Sequence, residues 1–257
     1  MGELHEDPVL RDRAPVFRDR KDAGERLGRY LAGLLGLGDP AQTGPSTLWA
    51  IPDSDGIRDP LVCPIPAGGI PVGIAVADAL RCPLFPLVVR KVQIPWNTEA
   101  GFGAVAWDGS MILNEDLLER LRLTPEQVDA AIGKARANVG ERMSHFEAAG
   151  PFPDPAGRSC IIVDDGLASG FTMTAAAIAL RQFRPRKILV AVPTGSLAAV
   201  ERVAGSVDEV VCLNVRTGYP FAVADAYEEW YDLTEEDAIR LLREVGPADP
   251  GKGKGGR

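Results

Sequence analysis

Short apolar runs, each followed by a turn and then by apolar positions at helical spacing, recur along this chain and set its expected secondary structure. Cys160, Ile161, Ile162 and Val163 form one such run, and beyond the next loop Met173, Ala176, Ala177, Leu180 and Phe183 follow a helical period. This predicts a buried strand, a loop and a helix. Residues 61–66 predict a second strand, which turns through Ala67-Gly68-Gly69-Ile70-Pro71 into an apolar helix over 72–80. A third strand is expected at 84–89, running into Arg90-Lys91, and two more at 187–192 and 209–215 with a helix at 197–203 between them. Strands alternating with helices favour an α/β fold, a largely parallel central sheet flanked by helices, with ligands at the carboxyl ends of the strands.

The remaining elements frame this core. Residues 17–37 place Leu27, Tyr30, Leu31, Leu34 and Leu35 on one helical face, with Gly38 as the stop. Residues 39–60 are rich in proline and read as a long loop, with room for an edge strand at 48–51. An Asp108-Gly109 turn predicts a hairpin joining 104–107 to 111–113. Residues 114–149 are helical in pattern: Thr124, Pro125 and Gln127 supply an N-cap, a first-turn proline and a capping-box partner, and Gly150 ends the stretch. Thr234 caps a final helix reaching Val245. The chain therefore divides into a charged arm (1–16), one domain (17–245) with a helical insertion at 114–150, and a basic tail (246–257).

Chemistry concentrates in Asp164-Asp165-Gly166-Leu167-Ala168-Ser169-Gly170-Phe171-Thr172. Gly170 and its small neighbours let backbone approach a ligand closely, and the helix beginning near Thr172 offers unpaired N–H groups and a positive dipole end. That suits a phosphate. The two carboxylates would repel a bare phosphate, so they need sugar hydroxyls or a bridging divalent cation to hold. A sugar phosphate satisfies both halves. The Gly68-Gly69 turn repeats the strand, turn and helix logic and offers backbone amides to a pyrophosphate, or is simply a tight turn.

The Asp164 to Thr172 stretch resembles the signature of the type I phosphoribosyltransferases, with Ser169 keeping the hydroxyl of a more usual threonine. The resemblance implies that Asp164 and Asp165 hold the ribose hydroxyls of phosphoribosyl pyrophosphate (PRPP) and meet Mg²⁺, partly through the substrate. It further implies that Leu167, Ala168, Ser169, Gly170, Phe171 and Thr172 wrap the 5′-phosphate, and that Ala67, Gly68 and Gly69 form the pyrophosphate loop. Close relatives often carry arginine where this chain has Ala67, which removes one cation. The resemblance also implies that Arg90 and Lys91 meet the pyrophosphate, unless they are simply solvated, and residues 93–103, with Pro95, Trp96 and Asn97, are either the family's mobile loop or an ordinary hairpin connection. Among the aromatics of 216–231, Tyr219 and Phe221 are the candidates to stack on an acceptor base under a small hood. The order of segments from Phe17-Arg18-Asp19-Arg20 through the Trp230 region also resembles a group of uncharacterised bacterial phosphoribosyltransferase-like proteins.

Composition narrows the classes. A net charge of −8 argues against a chain that works by gripping a nucleic-acid backbone. Cys63, Cys82, Cys160 and Cys212 form no C-x-x-C pair and read as reduced thiols, and with histidine only at His5, near the N-terminus, and His145, in a polar helical stretch, a histidine-based triad or zinc site lacks parts. No apolar run reaches membrane-spanning length, so the expectation is a cytoplasmic protein, assembled as a homodimer. No Gly-Lys-Ser/Thr or G-x-G-x-x-G follows a strand, and the strand at 188–192 ends in Pro193-Thr194-Gly195 without the aspartate of a receiver domain. Two functions remain: phosphoribosyl transfer to a nitrogenous acceptor, or a PRPP or nucleotide sensor that keeps the site without fast chemistry.

Overall fold

The computed structural model describes residues 2–34, 57, 59–146 and 153–245. The expected edge strand at 48–51, the stops at Gly38 and Gly150 and the basic tail lie outside the described residues. The main sheet has five strands, β1 (Glu3–His5), β2 (Leu61–Pro64), β6 (Ser159–Val163), β7 (Lys187–Ser196) and β8 (Glu209–Arg216). Their order is β1-β8-β7-β6-β2, and every pairing is parallel.

Alternation along these strands divides the core in two. Cys160, Ile162, Ile188, Val190 and Cys212 face one layer, which α5 (Phe171–Arg181) and α6 (Leu197–Ala204) cover. Ile161, Val163, Leu189, Val211 and Leu213 face the other, which α1 (Arg20–Leu34) and α2 (Gly69–Leu80) cover. Burial on both faces explains why these strands read as unbroken apolar runs.

A second sheet, antiparallel and three-stranded, joins β3 (Val89–Ile94), β4 (Asn97–Ala106) and β5 (Met111–Leu113). The Asp108-Gly109 turn links β4 to β5, with Gly109 at φ +85°. Residues expected to form the third strand are extended beside β2, with Phe85 N–H donating to Val62 O at 2.9 Å and Leu87 N–H to Pro64 O at 2.9 Å. The regular strand begins later, at Val89, so that Arg90 and Lys91 lie inside β3 rather than past a strand end, and residues 93–103 form a paired hairpin arm.

Asn114 caps α3 (Glu115–Leu121), and Arg122 in the left-handed region ends it, so the helical stretch begins with two helices rather than one. The longer α4 (Pro125–Phe146) starts with the expected reciprocal box: Thr124 N–H donates to Gln127 Oε1 at 2.9 Å and Gln127 N–H to Thr124 Oγ1 at 3.3 Å. Thr234 caps α7 (Glu235–Val245) through Asp237 N–H at 3.1 Å. With β3 to β5, the helices α3, α4 and α7 close a third apolar cluster around Phe102, Phe146 and Ile70.

No element is expected before Phe17, yet Glu3–His5 pair with β8 as an edge strand. The following loop is tied down by the buried Asn214, whose side-chain amide donates to Leu10 O and, at 3.2 Å, to Arg13 O. Thr217 N–H also donates to Asp12 Oδ1 at 2.6 Å.

Candidate functional site

The two loops singled out in the sequence meet at the carboxyl ends of β2 and β6, which are hydrogen-bonded neighbours. Asp164 and Asp165 follow β6 directly, and Gly68-Gly69 follow β2 and open α2. A Cβ added to Gly68 would sit 2.5 Å from Asp165 Cγ and closer still to Oδ2; one added to Gly69 would sit 2.7 Å from Val163 O and 3.2 Å from Asp164 Oδ1. Gly68 has φ −58°, a conformation open to any residue. The glycine pair is therefore required by the aspartates packed against it, not by backbone dihedrals. The Pro66–Ala67 peptide that leads into this turn is cis.

Beyond the acids the chain crosses to β7. Leu167 N–H donates to Thr194 O at 2.9 Å, Ser196 N–H to Leu167 O at 3.0 Å, and Ser196 Oγ to Ala168 O at 3.0 Å. Leu167 buries its side chain in the core and engages both its backbone N–H and its carbonyl with β7, so the expected phosphate contact at this residue does not hold: its one amide is already bonded. Ala168 and Ser169 are exposed. Gly170, at φ +78°, turns the chain into α5, which has no side-chain cap on its first amides. The first backbone amides of α5 are thus left without a side-chain partner, beside the exposed Ala168 and Ser169. The Phe171 ring packs under the Arg202 guanidinium at 4.4 Å, a contact with α6.

Asp165 is held from several directions. Arg20 Nε donates to Asp165 Oδ2 at 2.8 Å while Arg20 Nη1 donates to Tyr231 O at 2.8 Å. The same guanidinium lies 3.8 Å from the centroid of the Trp230 ring. Tyr227 Oη donates to the backbone carbonyl of Asp165 at 2.6 Å, and the Asp165 N–H donates to Asp164 Oδ1 at 2.9 Å. Burial, and then the neighbouring Asp165 charge, push the Asp164 carboxyl well above the usual carboxylate range. Burial also pushes Asp165 up, but Arg20 pulls it back. Asp165 is thus the member of the pair equipped to stay ionised. Burial, and next the Asp165 charge, raise the Tyr227 phenol, which keeps it a donor.

Arg90 donates through Nε to Asn138 Oδ1 of α4 at 2.6 Å. Lys91 is exposed and lines a groove of about 260 Å³ between β3 and α4, together with Gln93 and Lys134. The two cations thus stand against the α4 side of the molecule. Tyr219 is 97% exposed, and Phe221 is half-buried.

Sequence reasoning does not single out Arg20, Tyr227 or Trp230 as site residues. For Arg20 a signal exists: it falls in phase with Ala23, Gly24, Leu27, Gly28 and Leu31 on the buried stripe of α1, where a charged residue needs a partner. Nothing in the sequence indicates that the partner stands at position 165.

Residues 47–226 match the phosphoribosyl transferase domain family. A protein of Mycobacterium tuberculosis strain H37Rv, named "Putative phosphoribosyl transferase", is 34% identical over 227 residues, which cover 88% of this chain and 46% of that protein. The chain thus spans about half the length of that curated relative. The ribose-phosphate pyrophosphokinase of Thermococcus kodakarensis is 36% identical over 115 residues, covering 39% of this chain and 40% of the kinase. A crystal structure of a Thermus thermophilus protein superposes with a TM-score of 0.69 at 32% identity, covering 90% of this chain and 99% of that one. With a matching domain across most of its length and a parallel sheet whose acidic pair abuts a glycine turn, this chain belongs to the phosphoribosyl transferase family.

Proposed function

We propose that the protein transfers the 5-phosphoribosyl group of PRPP to a nitrogenous, base-like acceptor and releases pyrophosphate. The observation that carries this reading is the contact between the acidic pair and Gly68-Gly69. It supports the reading because two carboxylates able to accept from hydroxyls and a turn free of side chains share one wall, as a substrate with a diol next to a pyrophosphate requires. Asp164 and Asp165 hold the ribose hydroxyls, the backbone from Ala168 to Thr172 holds the 5′-phosphate, and Ala67 to Gly69 receive the pyrophosphate. The C1–O bond to pyrophosphate breaks as the C1–N bond forms. The ribosyl carbon becomes cation-like between them, so positioning and electrostatics supply most of the catalysis. Arg90 and Lys91 steady the departing charge when the hairpin arm carrying them comes over the site.

The donor set fits a magnesium ion that arrives on the substrate. Among the described residues no group of three or more His, Cys, Asp or Glu could hold a metal, and Asp165 already engages Arg20. Asp164 and Asp165 would hold Mg²⁺ partly through ribose oxygens, and the ion would supply charge neutralisation on the pyrophosphate.

A second reading, a PRPP sensor, is favoured by Ala67, which brings no cation to the pyrophosphate turn, and by the engagement of Arg90 with Asn138. Calorimetry with MgPRPP tests both. Binding by the wild type that disappears in the Asp164→Asn/Asp165→Asn double variant supports the shared site, and unchanged affinity in that variant removes it. Pyrophosphate release with a panel of purine, pyrimidine and small amide acceptors separates transferase from sensor.

A further inference from the structure

We infer that Arg20 is a positioning residue of the ribose site, and that its guanidinium fixes the Asp165 carboxylate in the orientation that accepts the sugar diol. This role rests on the phosphoribosyl-transfer reading and adds a residue to it. Arg20 is 6% exposed, and taking a guanidinium out of water is costly unless every face finds a partner. Here Nε meets Asp165 Oδ2, Nη1 meets Tyr231 O, and one flat face covers Trp230. A lysine could provide the charge but not the fork, which bonds a side-chain oxygen and a backbone oxygen from one rigid plane. Asp165 is correspondingly immobilised, with Oδ2 tied to Arg20, Cγ seated on Gly68 and its carbonyl accepting from Tyr227. The two acids are therefore unequal: Asp165 is oriented by a distant side chain, whereas Asp164 accepts from the backbone N–H of its own neighbour.

This clamp lies outside the matched domain. Arg20 precedes residue 47, and Tyr227, Trp230 and Tyr231 follow residue 226. The first turn of α1 and the segment ahead of α7 close on the same carboxylate, so the ribose site of this chain is finished by its flanks.

A core ion pair with no bearing on substrate would produce the same static picture, so the test must separate orientation from stability. Arg20→Met keeps the volume, Arg20→Lys keeps the charge, and Arg20→Ala opens a space beside the groove of about 640 Å³ that Arg20, Lys21 and Asp78 line, through which free guanidinium can enter. Calorimetry on the full chain measures MgPRPP and, separately, Mg-pyrophosphate, which lacks the ribose. Expected is a loss of roughly 10- to 100-fold in PRPP affinity for Arg20→Met and Arg20→Lys, the scale seen when a group orienting a ligand-binding side chain is removed. Pyrophosphate affinity should stay within about twofold, and millimolar guanidinium should restore PRPP binding to Arg20→Ala. PRPP affinity at the wild-type level in Arg20→Met, an equal fall for both ligands, or guanidinium that raises the melting temperature without restoring PRPP affinity would each overturn the inference. Failure of the wild type itself to bind MgPRPP is a different result: it removes the parent reading, and this one with it.

Discussion

Replacing Gly68 by alanine tests the geometry at its tightest point. The backbone there is already helical, at φ −58° and ψ −36°, so alanine meets no dihedral strain, and lower unfolded-state entropy should by itself add about 0.5–1 kcal/mol of stability. The new methyl, however, would lie 2.5 Å from Asp165 Cγ, and the carboxylate has to move. Overpacking of this kind costs roughly 1–3 kcal/mol. Loosening the 2.8 Å charged hydrogen bond to Arg20 adds about 1.5–3 kcal/mol. The net expectation is a loss of roughly 1.5–5.5 kcal/mol, or roughly 3–20 °C in melting temperature for a chain of this size. Gly33→Ala is the control, since Gly33 is exposed near the end of α1 with nothing within 4 Å of its added Cβ, and there the helix propensity of alanine should raise stability. Urea denaturation of the two variants should give opposite signs. A Gly68→Ala protein as stable as the wild type would show that Asp165 does not rest on this turn, and the shared wall would be lost with it.

The aspartates should respond unequally. Asp165→Asn leaves the buried Arg20 without its counter-charge and is expected to cost about 3–5 kcal/mol, whereas Asp164→Asn replaces a carboxyl whose charged form burial and Asp165 disfavour and should be neutral or stabilising; equal losses in chemical denaturation would contradict the assignment. Asp164 also predicts a pH slope. Its folded-state pKa lies above the unfolded one, so the folded protein keeps a proton that the unfolded chain releases, and stability falls as pH rises from the ordinary carboxylate range through the folded value. Melting curves of the wild type should show that decline more steeply than those of Asp164→Asn, and parallel curves would count against it. Asn214→Ala removes the buried amide that holds Leu10 and Arg13, so protease should cut the N-terminal arm faster at a stability cost of about 1–3 kcal/mol; an unchanged digestion pattern would leave the tether without effect.

Much of the fold was legible because burial on two faces leaves a strong trace. The parallel strands read as apolar runs, and the turn into α5 and the caps of α4 and α7 depend on residues within a few positions of one another. Elements defined by distant partners were harder. Glu3–His5 are exposed or only partly buried and become a strand solely because β8 offers an open edge. Arg90 and Lys91 sit in β3 because β4 pairs across them, a preference that local composition does not express. The acidic pair and the glycine pair were each visible, but their contact was not, since it is set by sheet order. Arg20 was hidden for the same reason: its partner is 145 positions away.

The adjacency of β2 and β6 bears on how such a protein can change its chemistry. After residues 84–88 have run beside β2, the chain leaves the main sheet through the hairpin and both insertion helices and rejoins it at β6, the neighbour of β2. That excursion can lengthen, shorten or be exchanged while the junction it departs from stays registered by the Leu61 to Cys160 and Pro64 to Val163 pairings. Variation can thus accumulate in the excursion without shifting the Gly68-Gly69 turn relative to Asp164 and Asp165, because a rigid seam rather than the intervening chain sets their spacing.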